Sequence, residues 1–213
     1  DDFAIHSQQK AAAAQQQGLF KEEIIPISAK ATIIDTDGCI RANTKIEDLA
    51  DLKPAFLSDG TVTAASSSPL TDGASATLVC SEEYAKQNGL RPLARIKSIA
   101  VSGCAPETMG LGPIVATKKA LERASLAIKD INIVEINEAF ASQSIACIQD
   151  LNISMNGVNI DGGGIALGHP LGATGARITG KAASLLVREN KQYALATQCI
   201  GGGQGIATIL ESI

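Results

Sequence analysis

The 213-residue chain contains no tryptophan, two tyrosines and four phenylalanines, so aromatic residues make up only 3% of it. No core can be built around large rings on that supply, and Ala, Val, Ile and Leu must fill it. Histidine is nearly as scarce, with His6 and His169 alone. No HExxH pair and no Cys/His cluster occurs, which argues against a metal site. The cysteines Cys39, Cys80, Cys104, Cys147 and Cys199 form no CxxC pair, and an odd number in a chain this long is no disulfide framework. They favour a reducing compartment, and a cytoplasmic location is expected. No apolar run reaches the length of a membrane span. The formal net charge of −4 leaves no electrostatic footprint for nucleic acid. The first residues lack the basic start and apolar core of a secretory signal. Opening on Asp1 rather than Met, the chain reads as a piece of a longer protein.

What is present fits a globular α/β chain, with 45% hydrophobic and 19% charged residues. Strong helix formers run from Phe3 to Gln17 and stop at Gly18, and Ile24 to Ile27 suits a short strand. Residues 35–71 carry turn formers and little periodicity, with one weak helix at Ile46 to Leu52. A strand is expected at Ala74 to Cys80, then a helix capped by Ser81, with Glu82 and Glu83 in its first turn, ending at Gly89. From Ala94 the pattern predicts a strand (94–101), a helix opened by Pro113 and running to about Leu126, a strand (131–136) and a helix from Glu138 to about Asp150. A short buried strand (158–160), a long helix (173–190) and a terminal strand pair (193–199 and 205–210) follow. The order βαβαβαββ implies a mixed five-stranded sheet covered on both faces, with chemistry in the loops at strand ends.

Three unusual segments fall in those loops. The Gly162–Gly175 loop is half Gly and Pro, holds His169 between Gly168 and Pro170, and contains neither GxxxxGK[ST] nor GxGxxG. His169 there is either a turn histidine or a catalytic one. Cys199 precedes Gly201, Gly202 and Gly203; it reads either as a small buried hydrophobe or as a thiol that moves protons beside free backbone N–H groups. Asn137, in Asn137-Glu138-Ala139-Phe140-Ala141, is either a helix N-cap or a polar group presented to a water or to His169.

Taken together, DGTVTA with TDGA (59–74), MGLGP (109–113), NEAFA (137–141), GGGIALGHPLGATGAR (162–177) and CIGGGQG (199–205) closely resemble the thiolase family, in the family's order. The opening DDFAIHSQQKAAAA resembles a helix of that family's substrate-covering loop domain. The resemblance implies a layered thiolase-like fold, with 1–71 the remainder of the loop domain, 72–93 the last strand and helix of an otherwise missing N-terminal domain, and 94–213 the C-terminal domain.

It also implies Claisen condensation of acyl-CoA with acetyl-CoA, or the reverse thiolysis, as in acetyl-CoA C-acetyltransferases and 3-ketoacyl-CoA thiolases of lipid metabolism. Cys199 then corresponds to the acid/base cysteine, His169 to the histidine that assists the nucleophile and donates to a thioester oxyanion, and Asn137 to the water-holding asparagine. Gly201 N–H corresponds to one donor of a second oxyanion hole. Ser68 and Phe56 correspond to pantetheine contacts, Met109 and Phe140 to the acyl pocket, and Arg41 to a basic residue near the nucleotide end of coenzyme A. Partners implied are acyl-CoA, coenzyme A, a missing N-terminal half and further copies in a homodimer or homotetramer; no cofactor is implied beyond coenzyme A thioesters as substrates. Nothing in the chain matches the family's acylated nucleophile, because Cys39, Cys80, Cys104 and Cys147 sit in other contexts. A thiolate at Cys199 is expected to draw on a nearby imidazole and glycine amides. The reading from a different class is a non-catalytic acyl-CoA-binding protein built on one thiolase half.

Overall fold

The structure is a computed structural model that describes residues 1–213. In chain order its elements are α1 (Asp2–Gln16), β1 (Ile27–Ala29), β2 (Thr32–Ile34), α2 (Ile46–Ala50), α3 (Glu82–Gln87), β3 (Arg95–Gly103), α4 (Gly112–Ala124), β4 (Ile133–Ile136), α5 (Ala141–Asp150), α6 (Gly164–Leu167), α7 (Thr174–Arg188), β5 (Tyr193–Ile200) and β6 (Gln204–Glu211). They group into two compact units. The first holds 1–71, 138–142 and 160–169; the second holds 72–137, 143–159 and 170–213.

In the first unit, α1 follows its helix-forming composition and buries Phe3, Ala4, Ser7, Gln8, Ala11 and Ala14 on one side. The stripe is polar as well as apolar because Ser7 and Gln8 serve hydrogen bonds rather than packing. The strand expected at 24–27 is instead a hairpin: β1 pairs antiparallel with β2, Ile27 opposite Ile34. Lys30 makes its turn at φ 53°, so no glycine advertises it. Residues 138–140, expected to open a helix, run alongside 66–68. Ser68 N–H donates to Ala139 carbonyl at 3.0 Å, and Ala141 N–H donates to Ser66 carbonyl at 2.8 Å. Helix α5 therefore starts at Ala141, three residues later than expected.

The second unit is built on a four-stranded sheet in the order β3-β6-β5-β4. β5 and β6 form the expected terminal hairpin, β3 pairs antiparallel with β6, and β4 runs parallel to β5. The fifth strand expected at 158–160 is reduced to one parallel bridge, Val134 to Val158. Beyond that bridge the Asn159 side chain takes over: Ile136 N–H donates to its Oδ1 and its Nδ2 donates to Ile136 carbonyl, both at 2.9 Å. Asn159 sits at φ 43°, a left-handed conformation that asparagine tolerates and that ends strand geometry.

Alanines spaced four apart on α4 (Ala116, Ala120, Ala124) line one face and let the helix lie close to β3, β6 and β5. On α7 the larger Ile178, Leu185 and Leu186 are buried against β4 and β5, each worth about 1.5–3 kcal/mol of apolar burial. Ala194, Leu195, Ala207 and Ile209 complete an aliphatic core, as the shortage of rings requires. The strand expected at 74–80 does not form, for no neighbouring strand offers it a ladder. That segment is held by side chains instead: Ser75 Oγ donates to Ala173 carbonyl at 2.6 Å and Thr77 Oγ1 to Ala176 carbonyl at 3.0 Å. Helix α3 behaves as read, with Tyr84 N–H donating to the Ser81 hydroxyl at 3.1 Å.

Candidate active site

Four of the nine residues singled out in the sequence lie in the second unit: Asn137, Cys199, Gly201 and Met109. The parallel β4 and β5 end side by side, the position where open α/β sheets gather chemistry. Asn137 is the first residue past β4, and its N–H donates to Thr197 carbonyl on β5 at 2.9 Å. Two residues further along β5 is Cys199, paired with Gly205 of β6, which in turn pairs with Ser102 of β3. Residues directly opposite in a ladder point to the same face. Ser102 Oγ donates to Gly112 carbonyl at the start of α4 (3.2 Å), so the Cys199 thiol lies on the α4 side of the sheet. Gly201 follows in an exposed turn with open space around its Cα.

Asn137 is not an N-cap, since α5 begins four residues later. Its side chain is 0% exposed, and neither its Oδ1 nor its Nδ2 has a protein partner. Buried amides are ordinarily satisfied, and leaving one unpaired costs about 1–3 kcal/mol per group. A residue retained at such a cost is polar for a reason other than stability.

Cys199 departs from its expected chemistry. Burial pushes the thiol above its ordinary value, a backbone hydrogen bond at its own position pulls it down, and Cys104 adds to the rise. Cys147, which sequence reading passed over, is a close neighbour. Its pKa is pushed up to about 11, chiefly by burial, against a hydrogen bond from Gln143, with Cys199 contributing to the rise. Its Sγ donates to Gly110 carbonyl at 3.3 Å, one residue from Met109. Met109 is half-buried in a 3-10 turn (Pro106–Leu111), its carbonyl facing Cys104 Sγ at 3.9 Å.

The first unit holds His169, Ser68, Phe140, Phe56 and Arg41. Phe56 and Phe140 meet edge to face, ring centroids 5.9 Å apart. Phe56 is 72% exposed, so plain core packing does not account for it. Ser68 is half-buried, its hydroxyl donating to Ala139 carbonyl at 3.3 Å. Arg41 is exposed; its backbone N–H donates to Gln8 Oε1 at 2.7 Å. It lines a cavity of about 260 Å³ together with Gln8, Cys39, Asp48, Ser67 and Pro69. His169 is half-buried and follows Gly168, whose φ of 85° and close approach to Thr71 leave no room for a side chain.

The family profile described as thiolase, C-terminal domain, matches residues 90–212, and the profile for the thiolase N-terminal domain matches residues 1–83. The chain belongs to the thiolase family. The 3-ketoacyl-CoA thiolase of Photorhabdus laumondii is 52% identical over 99% of this chain and 57% of that protein. That of Vibrio parahaemolyticus is 50% identical over 99% of this chain and 56% of the relative. Among solved thiolases, human mitochondrial 3-ketoacyl-CoA thiolase superposes with a TM-score of 0.93 at 43% identity, covering 100% of this chain and 54% of that one. Bacillus anthracis acetyl-CoA acetyltransferase gives 0.95 at 41%, covering 100% and 55%. The chain thus spans about half the length of the thiolases it matches. These likenesses also carry the α/β architecture with its mixed sheet.

Proposed function

We propose that this chain supplies the acid/base part of a thiolase-type acyl-CoA acyltransferase. The observation that carries the reading is Asn137, fully buried with neither amide atom bonded to a protein group, beside the strand that carries Cys199. An amide with a free donor and a free acceptor can hold one water and present it to a reacting group. In the condensing direction the Cys199 thiolate removes a proton from Cα of acetyl-CoA. The resulting enolate attacks an acyl thioester on a nucleophilic cysteine and expels that thiolate. In thiolysis the steps reverse, and the Cys199 thiol returns its proton to the enolate carbon. The raised thiol pKa supports a role as donor, because the protonated form is the one thiolysis requires. His169 and the Gly201 N–H stabilise oxyanions, a contribution typically worth about 3–4 kcal/mol per donor.

Binding residues follow the same reading: Phe56, Ser68 and Phe140 along the pantetheine arm and acyl group, Met109 at the acyl pocket, and Arg41 with its adjoining cavity toward the nucleotide. One of the similar structures is titled as a human mitochondrial 3-ketoacyl-CoA thiolase in complex with CoA, which supports coenzyme A as the handle. Residues 1–71 serve as loop domain, 72–93 as the end of an N-terminal domain and 94–213 as the C-terminal domain, the nucleophile lying in the remaining thiolase half. A cytoplasmic homo-oligomer in lipid metabolism fits the free thiols. No helix is long and apolar enough to cross a membrane.

The test is hydrogen exchange at Cα of acetyl-CoA in deuterium oxide, catalysed by the full-length protein and read by mass spectrometry. Cys199→Ser is expected to abolish exchange while the acyl-enzyme still forms. Exchange at the wild-type rate in Cys199→Ser would remove Cys199 from its role and assign proton abstraction to another base, and no exchange by the wild type would leave acyl-CoA binding as the function.

A further inference from the structure

A buried hydrogen-bond cluster in the first unit involves residues to which nothing above assigns a role. Glu138, the residue after Asn137, is 2% exposed, and Ser7 on α1 is 3% exposed. The Ser7 hydroxyl donates to Glu138 Oε2 at 2.6 Å, a separation typical of a charge-assisted bond to a carboxylate. The same carboxylate oxygen accepts from the backbone N–H of Ile165 at 3.1 Å. Ser7 Oγ in turn accepts from Gly163 N–H at 3.1 Å, and Gln8 Nε2 donates to Ile165 carbonyl at 3.2 Å.

Three of these four bonds fall on the short segment that leads to His169, and the fourth ties Ser7 to Glu138. The turn α6 closes through Leu167 N–H and Gly168 N–H, each 2.9 Å from its carbonyl on Gly163 and Gly164. Gly162, at φ 84°, lies so close to Ala11 and the Ser7 carbonyl on α1 that an added Cβ would collide with both. Gly168 is wedged against Thr71 at the other end. Backbone from 162 to 168 is thus fixed at both ends, and the imidazole is mounted on the next residue. A buried carboxylate is an expensive way to brace a loop if bracing alone is needed.

We propose that Glu138 is a positioning residue: with Ser7 it clamps the 163–165 backbone and thereby sets the orientation of the His169 imidazole toward the reacting thioester. The inference rests on the catalytic reading of His169 given above. A misplacement of about 1 Å at a reacting group costs about 100-fold in rate.

The experiment is a double-mutant cycle in the full-length protein, following kcat and KM for thiolysis with Glu138→Ala, Glu138→Gln, Ser7→Ala and His169→Gln. Glu138→Ala is expected to lower kcat about 100-fold and Ser7→Ala about 10-fold, with KM for the 3-ketoacyl-CoA nearly unchanged. Glu138→Gln keeps the volume and an acceptor oxygen, and should restore part of the lost kcat. In the His169→Gln background, adding Glu138→Ala should lower kcat by less than about threefold, because a brace has nothing left to position. Ser7→Ala removes one hydroxyl and provides the same cycle should Glu138→Ala fold poorly. Full additivity in either cycle, or an unchanged kcat in Glu138→Ala, overturns the positioning role while the catalytic reading stands. An unchanged kcat in His169→Gln overturns both, and so separates the two failures.

Discussion

Replacing Asn159 with alanine removes a side chain that stands in for a missing strand. β4 pairs with β5 along one edge, and Asn137 N–H continues that ladder to Thr197. At the other edge Ile136 has only the Asn159 amide, which accepts from its N–H and donates to its carbonyl at 2.9 Å each. Ile136 and Asn159 are both 1% exposed, so the substitution strands one buried donor and one buried acceptor. Each costs about 1–3 kcal/mol, and holding alanine at a left-handed φ adds about 1 kcal/mol. The expected loss is about 3–7 kcal/mol, a large share of the ordinary net stability of about 5–15 kcal/mol. With a urea dependence of about 2 kcal/mol per molar, the unfolding midpoint should fall by about 1.5–3.5 M at unchanged slope. Asn156→Ala, at an exposed position nearby, should stay within about 0.5 kcal/mol of wild type. A midpoint shift for Asn159→Ala as small as the Asn156 control would refute the claim that this amide completes the sheet edge.

Gly168→Ala should cost about 1–3 kcal/mol, since φ 85° is open almost only to glycine and Thr71 occupies the space a Cβ needs; thermal unfolding of the variant measures it. Cys147 binds its proton more tightly when folded, with a pKa raised from 9.0 to about 11. Its contribution to stability is therefore complete below about pH 9 and lost as pH climbs through about 11. Urea midpoints compared across that window should fall further for wild type than for Cys147→Ala. Thiol labelling of the native protein should modify exposed Cys80 first and buried Cys147 and Cys199 last, with peptide mass mapping as the readout.

Much of the sheet unit was readable from periodicity and punctuation. Pro113 opens α4 within its first turn, Ser81 caps α3, and the glycines after Cys199 turn β5 into β6. What escaped depends on contacts distant in sequence. Ala139 and Ala141 look helical locally, yet their backbone pairs with Ser66 and Ser68. Residues 74–80 alternate like a strand, but a strand exists only where another accepts its ladder. Asn159 replaces backbone with side chain, which no alternation pattern reports. At the site, Asn137 and Cys199 were visible as motif residues and do share one end of the sheet. Glu138 and Ser7 lay within quoted motifs but were assigned no role, because a lone glutamate before an apolar helix and a serine within an alanine-rich one carry no spacing signal for a contact 131 residues apart. The raised Cys199 pKa was missed because burial outweighs the amide dipoles that its sequence context suggests.

The most direct measurement is thiolysis itself. The full-length protein is incubated with a 3-ketoacyl-CoA and free coenzyme A, and the products are weighed by mass spectrometry. The account predicts acetyl-CoA and an acyl-CoA two carbons shorter from wild type, and neither from Cys199→Ser. Binding of the substrate without cleavage by wild type, or equal cleavage by Cys199→Ser, would contradict it.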